Sequence, residues 1–248
     1  LLYGYYVNIN LSYRIKKINT FTKTNIIMKN YIKLFVLLTA VTFAACKNTP
    51  IAEEQGFEYG SVKDGRYTNK YFDIQMKVPQ GWDVQSQKEN DALMDEGKDM
   101  VAGDNVKMKA AIKAAEINTA NLFTIFKQKP GSNTTEFNPS IMLMAENLKN
   151  APGVRSGDAY LTQSRKVLTS GSMKYDSIDE TFEKRMINGW EFYTMNVAIN
   201  YNGVPVKQTY LATVKDGFAI GLIYSYGDDA QKAELEKYIS TFDYFKKK

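Results

Sequence analysis

An α+β domain is predicted: an antiparallel sheet that ends in a four-stranded meander, with helices packed on its faces. Three observations predict it. The dipeptides Asn188-Gly189, Asn202-Gly203 and Asp216-Gly217 are two-residue hairpin signals, and they recur at short intervals late in the chain. The stretch Phe72-Asp-Ile-Gln-Met-Lys-Val alternates apolar and polar residues, the period of a half-buried strand. Residues 89–119, 156–170 and 230–240 instead repeat apolar residues at three- and four-residue steps, the period of a helix with one buried face.

In chain order, Phe72, Ile74, Met76 and Val78 are expected to face the core. Pro79 and Gly81 end that strand, and Trp82 follows as an aromatic anchor. Residues 89–119 read as a helix broken near Gly103, with Asp104 as N-cap of the second piece. Leu93, Met94, Met100 and Val101 form one apolar stripe; Met108, Ala111, Ile112 and Ala115 form another. Residues 121–127 and 140–146 are strands separated by the turn Lys129-Pro130-Gly131-Ser132-Asn133. After Pro152-Gly153 a helix spans 156–170, with Ala159, Tyr160, Gln163, Val167 and Leu168 near one face and Gly171 as its stop. Strands 181–187, 190–200, 204–214 and 218–226 make the meander, with Pro205 at a strand start or edge. Asp228 or Asp229 caps a last helix over 230–240, where Ala233, Leu235, Tyr238 and Ile239 are available for packing. Helices on the faces of an antiparallel sheet complete an α+β sandwich.

Upstream of this domain, residues 28–46 have the layout of a secretory signal. Lys29 and Lys33 precede an apolar run over 34–45, which ends in small residues and Cys46, the single cysteine. A run of about a dozen residues is shorter than the roughly 20 that span a bilayer. Phe43-Ala44-Ala45-Cys46 resembles the lipobox of bacterial lipoproteins, with Phe where Leu is usual. That resemblance implies a diacylglycerol on the Cys46 sulfur, cleavage just before it and acylation of the new amino group. Two or more chains, at about 0.8 kcal/mol per buried methylene, give stable anchoring. Residues 1–27 contain no acidic residue and read as upstream sequence translated in frame, or as a basic extension; cleavage before Cys46 removes them on either reading. Residues 46–65 are expected to be a lipidated cysteine with a polar tether, and residues 66–248 a single domain.

The net charge of +5 belongs to the leader. Six of the 32 basic residues lie in 1–45; without them 26 basic face 27 acidic residues, a net of −1. Such a balance gives no footprint for nucleic acid. The chain has no histidine, which removes His-based metal sites, Ser-His-Asp and Cys-His catalysis and histidine pH switching. One cysteine allows no disulfide within the chain, and no phosphate-binding glycine loop is present. No cofactor is expected.

Four features are candidates for chemistry. Asp176, Asp179, Glu180 and Glu183 gather oxygen ligands at a spacing compatible with calcium, without the EF-hand pattern; Asp179 and Glu183 are also a candidate acid–base pair. The simpler reading is a loop followed by an exposed strand face. Tyr193, Tyr201, Tyr210, Tyr224 and Tyr226 are either a sugar- or peptide-binding face or ordinary packing under helices. Lys107, Lys109 and Lys113 form a cationic or merely solvated helix face, and Lys246-Lys247-Lys248 a basic tail.

Tyr67-Thr68-Asn69, Phe72, Ile74, Pro79, Gly81 and Trp82, with Ser240-Thr241-Phe242 after the last helix, resemble the PsbP-like fold over about residues 66–245. The resemblance implies the α+β sandwich and assigns no binding residue, because PsbP and Mog, which share the fold, have unrelated partners. Two functions are expected from these features. The first is a lipid-anchored, non-catalytic binding or accessory module of the cell envelope, with an envelope protein as partner and a glycan or peptide as the other ligand class. The alternative is a histidine-independent envelope hydrolase using paired carboxylates.

Overall fold

The computed structural model describes residues 50–132, 136–201 and 203–246, with only the backbone of Glu96, Lys98, Asp99, Met100, Ala114 and Tyr201. The lipobox with Cys46, the signal and the upstream segment lie outside the described residues, as do Asn133, Asn202 and Lys247-Lys248.

The meander is present as expected. Strands β8 (Glu183–Ile187), β9 (Trp190–Tyr201), β10 (Val204–Lys215) and β11 (Phe218–Tyr226) pair in sequence. The closing pairs Ile187↔Trp190 and Lys215↔Phe218 leave two-residue turns. Asn188 and Gly189 have φ of 47° and 90°, and Asp216 and Gly217 have 52° and 81°. Turns with positive φ at both positions match the twist of the strands they join, and Asn, Asp and Gly tolerate that backbone.

The sheet extends beyond the meander. β11 pairs with β6 (Ser140–Asn147), β6 with β5 (Thr119–Phe126) and β5 with β4 (Asp83–Val84), while β7 (Ser177–Ile178) pairs with β9 on the far side. All of β6 is buried, which requires cover on both faces. One face lies under α1 (Gln87–Ala102), α2 (Val106–Glu116) and α3 (Gly157–Ser170): Leu93, Val101, Ile112, Leu161 and Leu168 meet Met142, Met144, Met195 and Ala212. The other face lies under α4 (Asp229–Ile239) and a second, four-stranded sheet of order β1-β2-β3-β12. That sheet comprises Ser61–Lys63, Arg66–Asn69, Ile74–Lys77 and Asp243–Tyr244. Tyr67, Ile74, Met76, Leu235 and Ile239 meet Ile125, Leu143, Leu211 and Leu222 there. The result is a three-layer α+β sandwich rather than a single sheet.

Phe72, Ile74, Met76 and Val78 are buried as the alternation predicts. Three expectations are corrected. The tether reading fails for residues 50–65. Ile51 is 2% exposed and its N–H donates to the Ile117 carbonyl at 2.9 Å, Phe57 and Tyr59 pack on the core, and Asp64-Gly65 turns β1 into β2. The domain therefore starts before residue 66. The second helical piece is capped by Asn105, not Asp104; its side chain accepts from the Met108 N–H at 3.0 Å. Ala111 and Ala233 are exposed, and the helix faces turn inward on Ile112 and Ala115, and on Leu235 and Ile239. Asp228 caps α4, accepting from the Gln231 N–H at 2.8 Å, as one of the two expected aspartates.

Candidate functional site

The acidic cluster does not converge. Asp179 Oδ2 accepts from the Asn196 backbone N–H at 2.7 Å and from its side-chain amide at 2.9 Å, so this carboxylate fastens the chain to β9. Glu180 pairs with Arg165 of α3 at 3.2 Å and is exposed. Glu183 stands exposed on β8, opposite Thr194, and Asp176 is exposed with its backbone N–H bonded to Ala198. Among the described residues no group of three or more acidic, histidine or cysteine side chains is placed to hold a metal. The calcium reading is therefore not met, and Asp179 is engaged in a structural contact rather than poised as an acid or base.

The tyrosines do not share a face. Tyr193 and Tyr210 lie in the core under the helices, and Tyr224 and Tyr226 in the core on the opposite side of the sheet. Tyr210 donates to Gln208 at 2.6 Å, and the Tyr226 and Thr209 hydroxyls lie 3.2 Å apart. Tyr210 pairs with Ile223, so Tyr224, one residue further along β11, points to the opposite face, and packing explains both pairs. Tyr201 is known only by its backbone. Lys107 and Lys113 are exposed and Lys109 half-buried on the outer side of α2.

A site that the sequence did not announce lies where the β10–β11 hairpin meets the small sheet. Tyr71, Phe72, Trp190 and Phe218 wall a cavity of about 220 Å³, with Lys215 and Asp216 at the hairpin end. Local sequence places two of these. The Asp216-Gly217 turn puts Lys215 and Phe218 side by side as the closing pair. Tyr71 and Phe72 come from the loop before β3 and meet Phe218 edge-on at 5.9 and 5.2 Å between centroids. Trp190 begins β9 and stacks on Tyr244 of β12 at 4.7 Å. The Lys215 ammonium sits 4.5 Å from the Trp190 ring centre and 4.8 Å from that of Tyr244, so both ring quadrupoles hold it.

Two polar groups here lack their natural partners. Trp190 is 3% exposed, and its Nε1–H has no acceptor. Lys215 has no carboxylate within ion-pair distance among the described residues. A buried N–H without an acceptor costs about 1–3 kcal/mol, and the Trp190 Nε1 atom itself is closed to solvent.

A second cavity of about 220 Å³ lies between α1 and β5, with Asp91, Asp95, Glu116 and Asn121 in its wall. The Asn121 side-chain oxygen accepts from Thr124 at 3.1 Å. Tyr59, at the same cavity, has its hydroxyl pKa pushed up by burial and by the Asp91 charge.

No family model and no curated protein matches the sequence. Solved structures do. Cyanobacterial PsbP (CyanoP) from Synechocystis sp. PCC 6803 is 12% identical, over 72% of this chain and 91% of that one, with a TM-score of 0.41. LpqN of Mycobacterium tuberculosis, described as involved in cell envelope biogenesis, is 14% identical over 66% of this chain and 76% of its own, with a TM-score of 0.36. A protein of Bacteroides thetaiotaomicron VPI-5482 is 11% identical over 74% of this chain, with a TM-score of 0.37; the chain spans 49% of that protein's length. A PsbP protein thus stands among the solved structures to which this chain is similar.

Proposed function

We propose that this chain is a non-catalytic binding or accessory module of a bacterial cell envelope, held at a membrane by lipid on Cys46. The observation that carries the binding reading is the cavity beside the β10–β11 hairpin. It offers ring surface and a cation without a counter-ion among the described residues, which are recognition elements. A hydrolase built on Asp179 and Glu183 needs those two acids to converge on a pocket, and Asp179 is bound to Asn196 instead. The anchor rests on the sequence alone, on the apolar run closed by Phe43-Ala44-Ala45-Cys46. Among the described residues no helix is long and apolar enough to cross a membrane. With the lipid holding one end, the search for a partner is confined to the membrane surface, where another envelope protein is the first expectation.

The test has two parts. Intact-mass spectrometry of the membrane fraction should show a chain beginning at an acylated Cys46, and Cys46→Ser should release the protein; an unmodified thiol would remove the anchor from the proposal. Crosslinking in whole cells should capture an envelope partner, and Asp179→Asn with Glu183→Gln should leave that capture unchanged. Turnover of an envelope substrate by the purified chain, abolished by the same double change, would replace the binding reading with the hydrolase.

A further inference from the structure

Resting on the binding reading above, we infer that the cavity walled by Tyr71, Trp190 and Phe218 takes a neutral pyranose ring of a glycan. Its volume of about 220 Å³ is below the roughly 300–1,000 Å³ of sites that hold drug-sized ligands, and suits one ring-sized group. The polar groups around it are of mixed kind. The Lys215 ammonium donates, and the Asp216 carboxylate accepts. Neither Lys215 nor Asp216 has an ion-pair partner among the described residues. An anionic ligand would meet the Asp216 charge, and a cationic one the Lys215 charge. A sugar hydroxyl both donates and accepts, so a neutral polyol satisfies both groups without leaving a repelled charge.

The apolar part of the cavity agrees. Tyr71 and Phe218 are half-buried, so part of each ring is open, and edge contacts with Phe72 at 4.8 and 5.2 Å fix their planes. A pyranose presents an apolar face of C–H groups, which can lie on such a ring while its hydroxyls reach the polar rim. Lys215 is already held by Trp190 and Tyr244, so binding orders little that is not ordered beforehand.

Saturation-transfer NMR on the full chain in detergent tests this. The probes are methyl glucoside, methyl mannoside, methyl galactoside and N-acetylglucosamine, with glucuronate and N-acetylphenylalanine amide as charged and aromatic competitors. At least one neutral pyranoside should receive transfer. Its Kd should weaken about tenfold in Lys215→Met, which keeps the stem and loses the charged donor. Asp216→Asn preserves a residue tolerant of the left-handed turn and should weaken it severalfold. Tyr71→Leu, at a half-exposed position, is a third handle should either hairpin variant unfold. The inference is overturned by no transfer to any neutral pyranoside, by tighter binding of glucuronate or the phenylalanine amide, or by an unchanged Kd in the folded variants. Crosslinked capture of an envelope partner by a chain that ignores all four sugars would overturn this inference and leave the binding reading standing.

Discussion

Arg185 of β8 and Glu236 of α4 form a two-pronged ion pair, with Nη2 2.6 Å from Oε2 and Nη1 3.1 Å from Oε1. The Tyr224 hydroxyl donates to the same carboxylate. This contact ties the outer strand of the meander to the helix that closes the domain. Burial alone would raise the Glu236 pKa, but the hydrogen bonds from Arg185 and Tyr224 outweigh it and hold the carboxyl below its ordinary value. A carboxyl depressed in the folded state stabilises the fold above its unfolded pKa, and that stabilisation is lost as pH falls through the folded value. Glu236→Gln should therefore lower stability near neutral pH by about 1–2 kcal/mol, a moderate figure because the pair is partly solvated. The gap from the parent should close in acid. Urea unfolding at a series of pH values checks this; a gap constant across the acid range would show that the pair contributes nothing electrostatic.

Gly157 opens α3 against β10 at a distance that admits no side chain. A Cβ there would lie 2.0 Å from the Ala212 carbonyl oxygen and 2.8 Å from its carbon. Both contacts are backbone, so no rotamer change relieves them. Gly157→Ala should push the helix off the sheet and cost about 1–3 kcal/mol or more. Thermal unfolding reads the cost, and a neutral substitution would mean that α3 slides freely over β10.

The cap of α2 separates what the sequence declares from what it leaves open. Asp104 and Asn105 are adjacent, and both side chains can accept from the first helical turn. Gly103, at a φ of 51°, turns the chain so that the second of them faces the open N–H groups. Asn105→Ala should therefore cost about 1 kcal/mol, while Asp104→Ala, at an exposed position, should stay within about 0.5 kcal/mol. Chemical denaturation of the two variants decides between the residues, and the reverse order would restore Asp104 as the cap.

The meander was legible because its turns are local. Asn188-Gly189 and Asp216-Gly217 are residue types that tolerate positive φ, and the strands between them need no distant partner to be recognised. The same signal stands at Asp64-Gly65, with φ of 50° and 69°. It marks no half-buried strand, because Ser61, Val62 and Lys63 are all exposed and show no alternation of burial. The candidate site was not legible. Trp190 reads as one more apolar residue at a strand start. Its character comes from Tyr244 and Lys215, brought to it by a strand pairing across the fold and by a hairpin. Nothing within a window of ten residues marks a buried N–H that lacks an acceptor. The acidic cluster shows the converse: Asp176, Asp179, Glu180 and Glu183 crowd together in sequence, but Asp179 turns to β9 and Glu180 to α3.

The last prediction concerns the segment expected to be a tether. Ile51 is 2% exposed, in the same core as Tyr67 and Phe123, and its backbone N–H closes a hydrogen bond to Ile117 beyond the end of α2. Glu54 reaches the Asn147 side chain at 3.0 Å, so the segment is fixed at two points on the large sheet and its helices. A free tether would let its residues change without effect on the fold. A packed segment instead makes Ile51→Ala the removal of a buried aliphatic side chain, at about 2–4 kcal/mol. The exposed neighbour Ala52 serves as control, since Ala52→Ser removes no packed group and should stay within about 0.5 kcal/mol. Urea denaturation of both variants, in otherwise identical chains, gives the comparison. Equal midpoints would return residues 50–60 to the tether, whereas a loss confined to Ile51→Ala shortens the spacer between Cys46 and the folded domain to the few residues before Ile51.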